Sequence, residues 1–269
     1  MSILNVSHLS HGYGGRQIFE DVSFRLLKGE HVALVGANGE GKSTFLSIIT
    51  GQLTPDEGTV EWAKRAKVGY LDQHAVLKAG MTIRDTLRMA FDDMVTAEKE
   101  MLAAYDKMGD ATPAEVDQLM KDVGDIQDML EAGSYYMIDA RIEEVSGGLG
   151  LRDIGLDRKV DELSGGQRTK VLLTKLLLQN PEILILDEPT NYLDVEHINW
   201  LTNYLQNYEN AFILVSHDVP FLNMVTNVIY HVDNFQLNRY TGSYEKFEEM
   251  AALKRRQEEA AYERQQAEI

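Results

Sequence analysis

One stretch limits the choices open to this chain before any other. Gly36-Ala37-Asn38-Gly39-Glu40-Gly41-Lys42-Ser43 fits the pattern G-x-x-x-x-G-K-[ST]. It follows the apolar run His31–Gly36 and opens a helical pattern over Lys42–Thr50. A strand that hands over to a helix through a glycine-rich turn predicts an α/β layer architecture. The glycines let the backbone turn so that successive N–H groups point at phosphate oxygens, and the helix N-terminus adds a favourable dipole. Lys42 is expected to reach the β- and γ-phosphates, Ser43 to take a Mg²⁺ position, and Thr44 to follow it in the first helical turn. At Glu40 the motif asks only for backbone groups, so that side chain is expected to point outward.

The rest of the pattern agrees with an α/β chain. Ile183–Asp187 and Phe212–Ser216 are short, nearly continuous apolar runs, the form of strands buried on both faces of a parallel sheet. Helical periodicity covers Gly165–Gln179 and Val195–Tyr208. The first thirty residues and Gly58–Leu71 read as antiparallel strands, and Val228–Val232 with Gln236–Tyr240 as a hairpin. The run Ile183–Asp187 ends in a carboxylate and Glu188 follows it. Asp187 suits a second Mg²⁺ position, held through water, and Glu188 suits orientation of an attacking water.

Composition excludes several classes. The 269 residues contain no cysteine, which rules out disulfides and thiolate metal sites. No apolar run approaches the ~18 residues of a membrane span, and no signal region opens the chain, so a cytoplasmic protein is expected. Seven histidines are present, but only His217 falls in a motif; His8, His11, His31, His74, His197 and His231 are scattered and expected on surfaces or in packing. The net charge of −17 is uneven, since residues 91–145 hold 15 acidic and 4 basic side chains. That stretch reads as two amphipathic helices, the second opened by Thr112-Pro113-Ala114-Glu115 as a capping box. From Ser243 the sequence is helix-favouring and highly charged, with Lys254-Arg255-Arg256 a short basic cluster. It ends inside this pattern without a cap, which predicts a longer helix cut short.

Leu163-Ser164-Gly165-Gly166-Gln167 resembles the signature motif of ABC-type ATPases, and Ser164 stands 23 residues before Asp187 as in that superfamily. Gln73 resembles the Q-loop glutamine that contacts Mg²⁺ and the attacking water. Asp194 resembles the D-loop aspartate, His217 the switch histidine at the γ-phosphate, and Tyr13 the aromatic residue that stacks on adenine. The stretch Asp187-Glu-Pro-Thr-Asn-Tyr-Leu-Asp194, then Trp200-Leu201 and Tyr240-Thr-Gly-Ser-Tyr244, is similar to ABC-F proteins.

The resemblance implies an ABC nucleotide-binding domain over 1–242, with a RecA-like parallel-sheet core, an antiparallel β subdomain and an inserted helical subdomain over about 80–178. Within the latter, 91–145 is an acidic insertion; 243–269 is the start of a helical linker. It implies ATP and Mg²⁺ as cofactors and Glu188, His217 and Gln73 as catalytic groups. Ser164, Gly165, Gly166, Gln167 and Asp194 would serve a nucleotide held by a facing second ABC domain, so hydrolysis by this chain alone is expected to be weak. In the full-length protein it implies ribosome and transfer RNA as partners and no direct membrane contact. The alternatives are the motor subunit of a membrane transporter and a cytosolic ATPase of DNA repair or metal-cluster assembly.

Overall fold

The computed structural model describes residues 2–72 and 75–267, with side chains through Gln257 and at Ala260. The chain divides into two compact units, one formed by the residues up to Leu71 and from Pro181 onward, the other by Asp72–Asn180.

In the first unit, β1 (Ser2–Tyr13), β2 (Arg16–Leu27) and β4 (Glu57–Trp62) form an antiparallel sheet in the order β2-β1-β4. A second sheet runs β5-β6-β7-β3-β8-β9, from β3 (His31–Val35), β5 (Val68–Tyr70), β6 (Ile183–Asp187), β7 (Ala211–Val215), β8 (Val228–Asp233) and β9 (Gln236–Thr241). Its first five strands are parallel and β9 pairs antiparallel with β8. The apolar runs sit at its centre because helices or strands cover both faces. Ile183–Leu186 and Ala211–Leu214 are fully buried, and a strand with no wet face has no reason to alternate. The helices of this unit are α1 (Lys42–Ile49), α7 (Val195–Gln206), α8 (Val219–Val225) and α9 (Tyr244–Ala267).

One core joins the two sheets. The ring of Phe24 on β2 lies 5.0 Å from Phe45 on α1 and 4.3 Å from Tyr230 on β8. Each such buried ring contributes about 2–3 kcal/mol of hydrophobic stabilisation, so this contact fixes the small sheet over the helix that starts at Lys42.

The expected antiparallel reading of Gly58–Leu71 holds only for β4. β5 is instead a parallel edge strand, with Val68 opposite Ile183 and the Leu71 N–H donating to Ile185 O at 3.0 Å. Three residues are too few to carry a periodicity, so direction here is set by the partner strand and not by the local pattern.

The second unit is helical: α2 (Ile83–Arg88), α3 (Asp92–Met108), α4 (Pro113–Ala132), α5 (Ile138–Gly148) and α6 (Gly165–Gln179). α3 and α4 pack together, burying Ala97, Ala104, Val123 and Leu130 and leaving most of the acidic residues outside. Pro113 opens α4, and the N–H and hydroxyl of Thr112 both donate to Glu115, at 2.8 and 2.6 Å. The stretch 91–145 thus contains the two expected helices and, in addition, most of α5. Among the described residues no helix is long and apolar enough to cross a membrane.

Candidate nucleotide-binding site

β3 ends against the loop at Gly36, where a Cβ would stand 2.6 Å from the carbonyl oxygen of Val232. Gly41 has φ +116°, and its Cβ would meet Ile18 Cγ2 at 2.5 Å. Both positions need glycine, one for close backbone approach and the other for conformation as well. α1 starts immediately after, at Lys42. As at any helix start, the first-turn N–H groups, from Lys42, Ser43 and Thr44, lack intrahelical partners and face outward for an anion. Ser43 is exposed, as are Ala37, Asn38 and Gly39.

The loop's own side chains fold over it. Lys42 Nζ donates to Gly36 O at 2.7 Å and Ala37 O at 3.0 Å. Glu40 does not point outward as expected: its Oε2 accepts the Ala37 N–H at 2.9 Å. The reason is local, since a carboxylate three residues on can reach an N–H that the turn leaves unpaired.

Asp187 and Glu188 follow from β6. Asp187 is the last residue in register with β7, opposite Val215, and the Glu188 N–H donates to Val215 O at 2.8 Å. Glu188 has φ +49°, a left-handed conformation that costs a branched or long side chain about 1–2 kcal/mol and is concentrated at functional sites. The turn sends its side chain toward His217. Glu188 Oε1 is 3.3 Å from His217 Nε2, and Oε2 accepts the His217 N–H at 3.3 Å. Glu188 is mostly buried while the His217 ring is largely exposed. Burial pushes the carboxyl groups of both Asp187 and Glu188 above their ordinary range, opposed for each by the charges of Lys42 and His217. Two desolvated carboxylates with only partial compensation fit a divalent cation. Among the described residues no cluster of three acidic or histidine ligands exists. The carboxylate at the end of β6 suits Mg²⁺, which uses one or two protein oxygens together with phosphates and water.

The remaining candidates lie as follows. Tyr13 ends β1 with its ring half exposed, edge-to-face with His11 at 4.8 Å and 87°. Asp194 caps α7, with Oδ1 accepting the His197 N–H at 3.1 Å. In the second unit, Ser164 caps α6. Its Oγ accepts the Gln167 N–H at 3.3 Å and Gln167 Oε1 accepts the Ser164 N–H at 3.0 Å. Ser164 and Gly165 are exposed, and a Cβ built on Gly165 meets open space. Gln73 lies outside the described residues.

One contact was not anticipated. Arg16 Nη2 donates to Gly39 O at 3.0 Å, tying the β1–β2 hairpin to the phosphate-loop backbone. Its sequence signal is the Gly14-Gly15 turn, which sets Arg16 directly opposite Tyr13.

An α/β core whose parallel strands end in a glycine-rich loop, an acidic pair and a histidine defines the class of nucleotide-binding ATPase domains. A family model described as ABC transporter matches residues 19–191, and a second with the same description matches 230–269. The chain belongs to the ABC transporter family and is one of its ATP-binding ATPase domains. It is 62% identical over all 269 residues to YfmM of Bacillus subtilis, an uncharacterized ABC transporter ATP-binding protein, spanning 52% of that protein. It is 34% identical to ABC transporter F family member 2 of Arabidopsis thaliana, covering 99% of this chain and 40% of the relative. It is 33% identical to the energy-dependent translational throttle protein EttA of Mycobacterium tuberculosis, covering 93% and 44%. The chain therefore spans about half, or less, of the curated relatives it matches. Among solved structures, an ATP-binding subunit of an ABC transporter superposes with a TM-score of 0.66 at 22% identity, over 93% of this chain and 94% of the other. That likeness establishes the ABC ATPase fold.

Proposed function

We propose that this chain is an ATP-hydrolysing ABC domain of an ABC-F type, ribosome-associated translation factor, with α9 as the start of its interdomain linker. The observation that carries the ATPase part is the convergence of Lys42, Asp187, Glu188 and His217 at the ends of β3, β6 and β7. The Gly36–Thr44 backbone and Lys42 bind the triphosphate, Tyr13 stacks on the base, and Asp194 and Ser164–Gln167 serve a nucleotide on a facing domain. Ser43, Asp187 and Gln73 would hold Mg²⁺, which supplies charge neutralisation at the β- and γ-phosphates. Glu188 orients the attacking water, and its raised proton affinity suits transient acceptance of a proton. His217 holds Glu188 and touches the γ-phosphate. Removing either hydrolytic group costs about 10²–10⁴ in rate.

The ABC-F part is supported by Thr190-Asn191-Tyr192-Leu193-Asp194, by the Tyr240–Tyr244 exit into α9, and by relatives named for the F family and for translation. It goes with a cytoplasmic location and with the ribosome and transfer RNA as partners. A transporter motor subunit is the second reading, favoured by the description of the family model. Co-sedimentation separates the two. The full-length protein with Glu188→Gln should pellet with ribosomes in ATP and not in ADP. Absence from the ribosome pellet in ATP contradicts the translation reading.

A further inference from the structure

His11 is a buried, ionisable side chain that the ATPase reading does not use. Its side chain is 6% exposed, and neither ring nitrogen has a hydrogen-bond partner among the described residues. It sits on β1 where the pairing is irregular, with register shifts on both sides of it. Two neighbours give it a purpose. Its ring meets that of Tyr13 at right angles, 4.8 Å between centres. Its Nδ1 stands 3.3 Å from Oδ2 of Asp56. Asp56 in turn braces the end of β1, since the same Oδ2 accepts the Gly12 N–H at 2.9 Å and the Asp56 N–H donates to Ser10 O at 3.1 Å.

We propose that His11 and Asp56 are positioning residues that hold the ring of Tyr13 in the plane needed to stack on the base of the nucleotide. This rests on the reading of Tyr13 as the stacking residue. A half-exposed ring at a strand end is free to reorient, and freezing it on binding costs affinity. An edge-to-face neighbour fixes the plane beforehand. Asp56 holds the strand that carries that neighbour through the backbone of Ser10 and Gly12, and sets its carboxylate 3.3 Å from Nδ1. The hairpin meets the phosphate loop through Arg16, whereas the contacts of His11 and Asp56 go to Tyr13 and the β1 backbone, so their loss is expected to act on the base.

The test compares ATP with inorganic tripolyphosphate, which has the phosphates and no base. Dissociation constants are measured by calorimetry on the 269-residue chain and on His11→Ala, His11→Phe, Asp56→Asn, Tyr13→Ala and the double variant H11A/Y13A. The expected result is an ATP affinity about three- to tenfold weaker in His11→Ala, largely restored in His11→Phe, with tripolyphosphate unchanged. Asp56→Asn, at a more exposed position, gives a smaller loss in the same direction. The double variant binds ATP no worse than Tyr13→Ala. Unchanged ATP affinity in both His11→Ala and Asp56→Asn overturns the proposal. So does an equal loss for tripolyphosphate, or a loss in the double variant that is the sum of the singles. If Tyr13→Ala itself leaves ATP affinity unchanged, the stacking role falls with it; if only the His11 and Asp56 variants fail, that role stands.

Discussion

At Glu40 the chain places a carboxylate where a phosphate oxygen would compete for the same N–H. In the proposed binding mode its contact with Ala37 breaks when a triphosphate enters, and its charge opposes that entry. Glu40→Ala is therefore expected to tighten ATP binding by about 1 kcal/mol, roughly fivefold, with adenosine binding unchanged; calorimetry on both ligands checks it. Asp187 shows the opposite economy. Burial raises its proton affinity in the folded state above that of the unfolded chain. Its contribution is most favourable below the unfolded carboxylate range and is lost as pH rises through the higher folded value. Where the carboxyl is ionised it thus opposes folding, and Asp187→Asn should raise the melting temperature of the chain without nucleotide. The same variant should lose most of the further stabilisation that Mg²⁺ adds to ATP. A lower melting temperature without nucleotide would contradict the assignment of burial as the cause. Residues of this kind were unevenly legible. Lys42, Ser43, Asp187 and Glu188 were named by spacing and by their place at strand ends. The inward fold of Glu40 and the reach of Arg16 to Gly39 were not, because each depends on which backbone groups the finished turn leaves unpaired.

The elements were readable where a pattern ran long enough to be periodic. α6 spans the Gly165–Gln179 anticipated, because Ser164 and Gln167 cap it and its apolar stripe fills five buried leucine and valine positions. The apolar runs of β3, β6 and β7 identified themselves as doubly buried strands. β5 did not, because three edge residues take their direction from β6 and carry no alternation of their own. Burial on one face also explains α9, whose Phe247 and Ala251 are buried while Met250 and Leu253 are exposed. The open N-terminus of α6 gives a prediction at this scale. With Ser164 and Gly165 exposed and no close neighbour beside Gly165, Ser164→Arg should fold normally and bind ATP as the parent does, within about twofold. It should lower hydrolysis about tenfold or more, because the bulky cation blocks the donors offered to a facing phosphate. Loss of ATP affinity in the variant equal to that of Lys42→Ala would mean that α6 serves its own chain's nucleotide.

At the scale of the whole molecule, each motif is present once. The phosphate loop, the acidic pair and His217 belong to one compact unit and Ser164–Gln167 to the other. The proposed chemistry needs the first set from one ABC domain and the second from its facing partner. On this proposal a single copy binds nucleotide and waits for a second domain, whether supplied by a longer chain or by another copy. The acidic charge concentrated in 91–145 gives the helical unit little attraction for RNA phosphate, so in the proposed translation role the basic cluster Lys254–Arg256 on α9 is the candidate for contact with RNA. The most direct test of the two-domain account is the ATPase rate per chain, measured on the 269-residue protein across concentrations that span its monomer by sizing. The account predicts a rate per chain that climbs with concentration and is abolished by Glu188→Gln. A rate that is high and flat down to fully monomeric protein would contradict it.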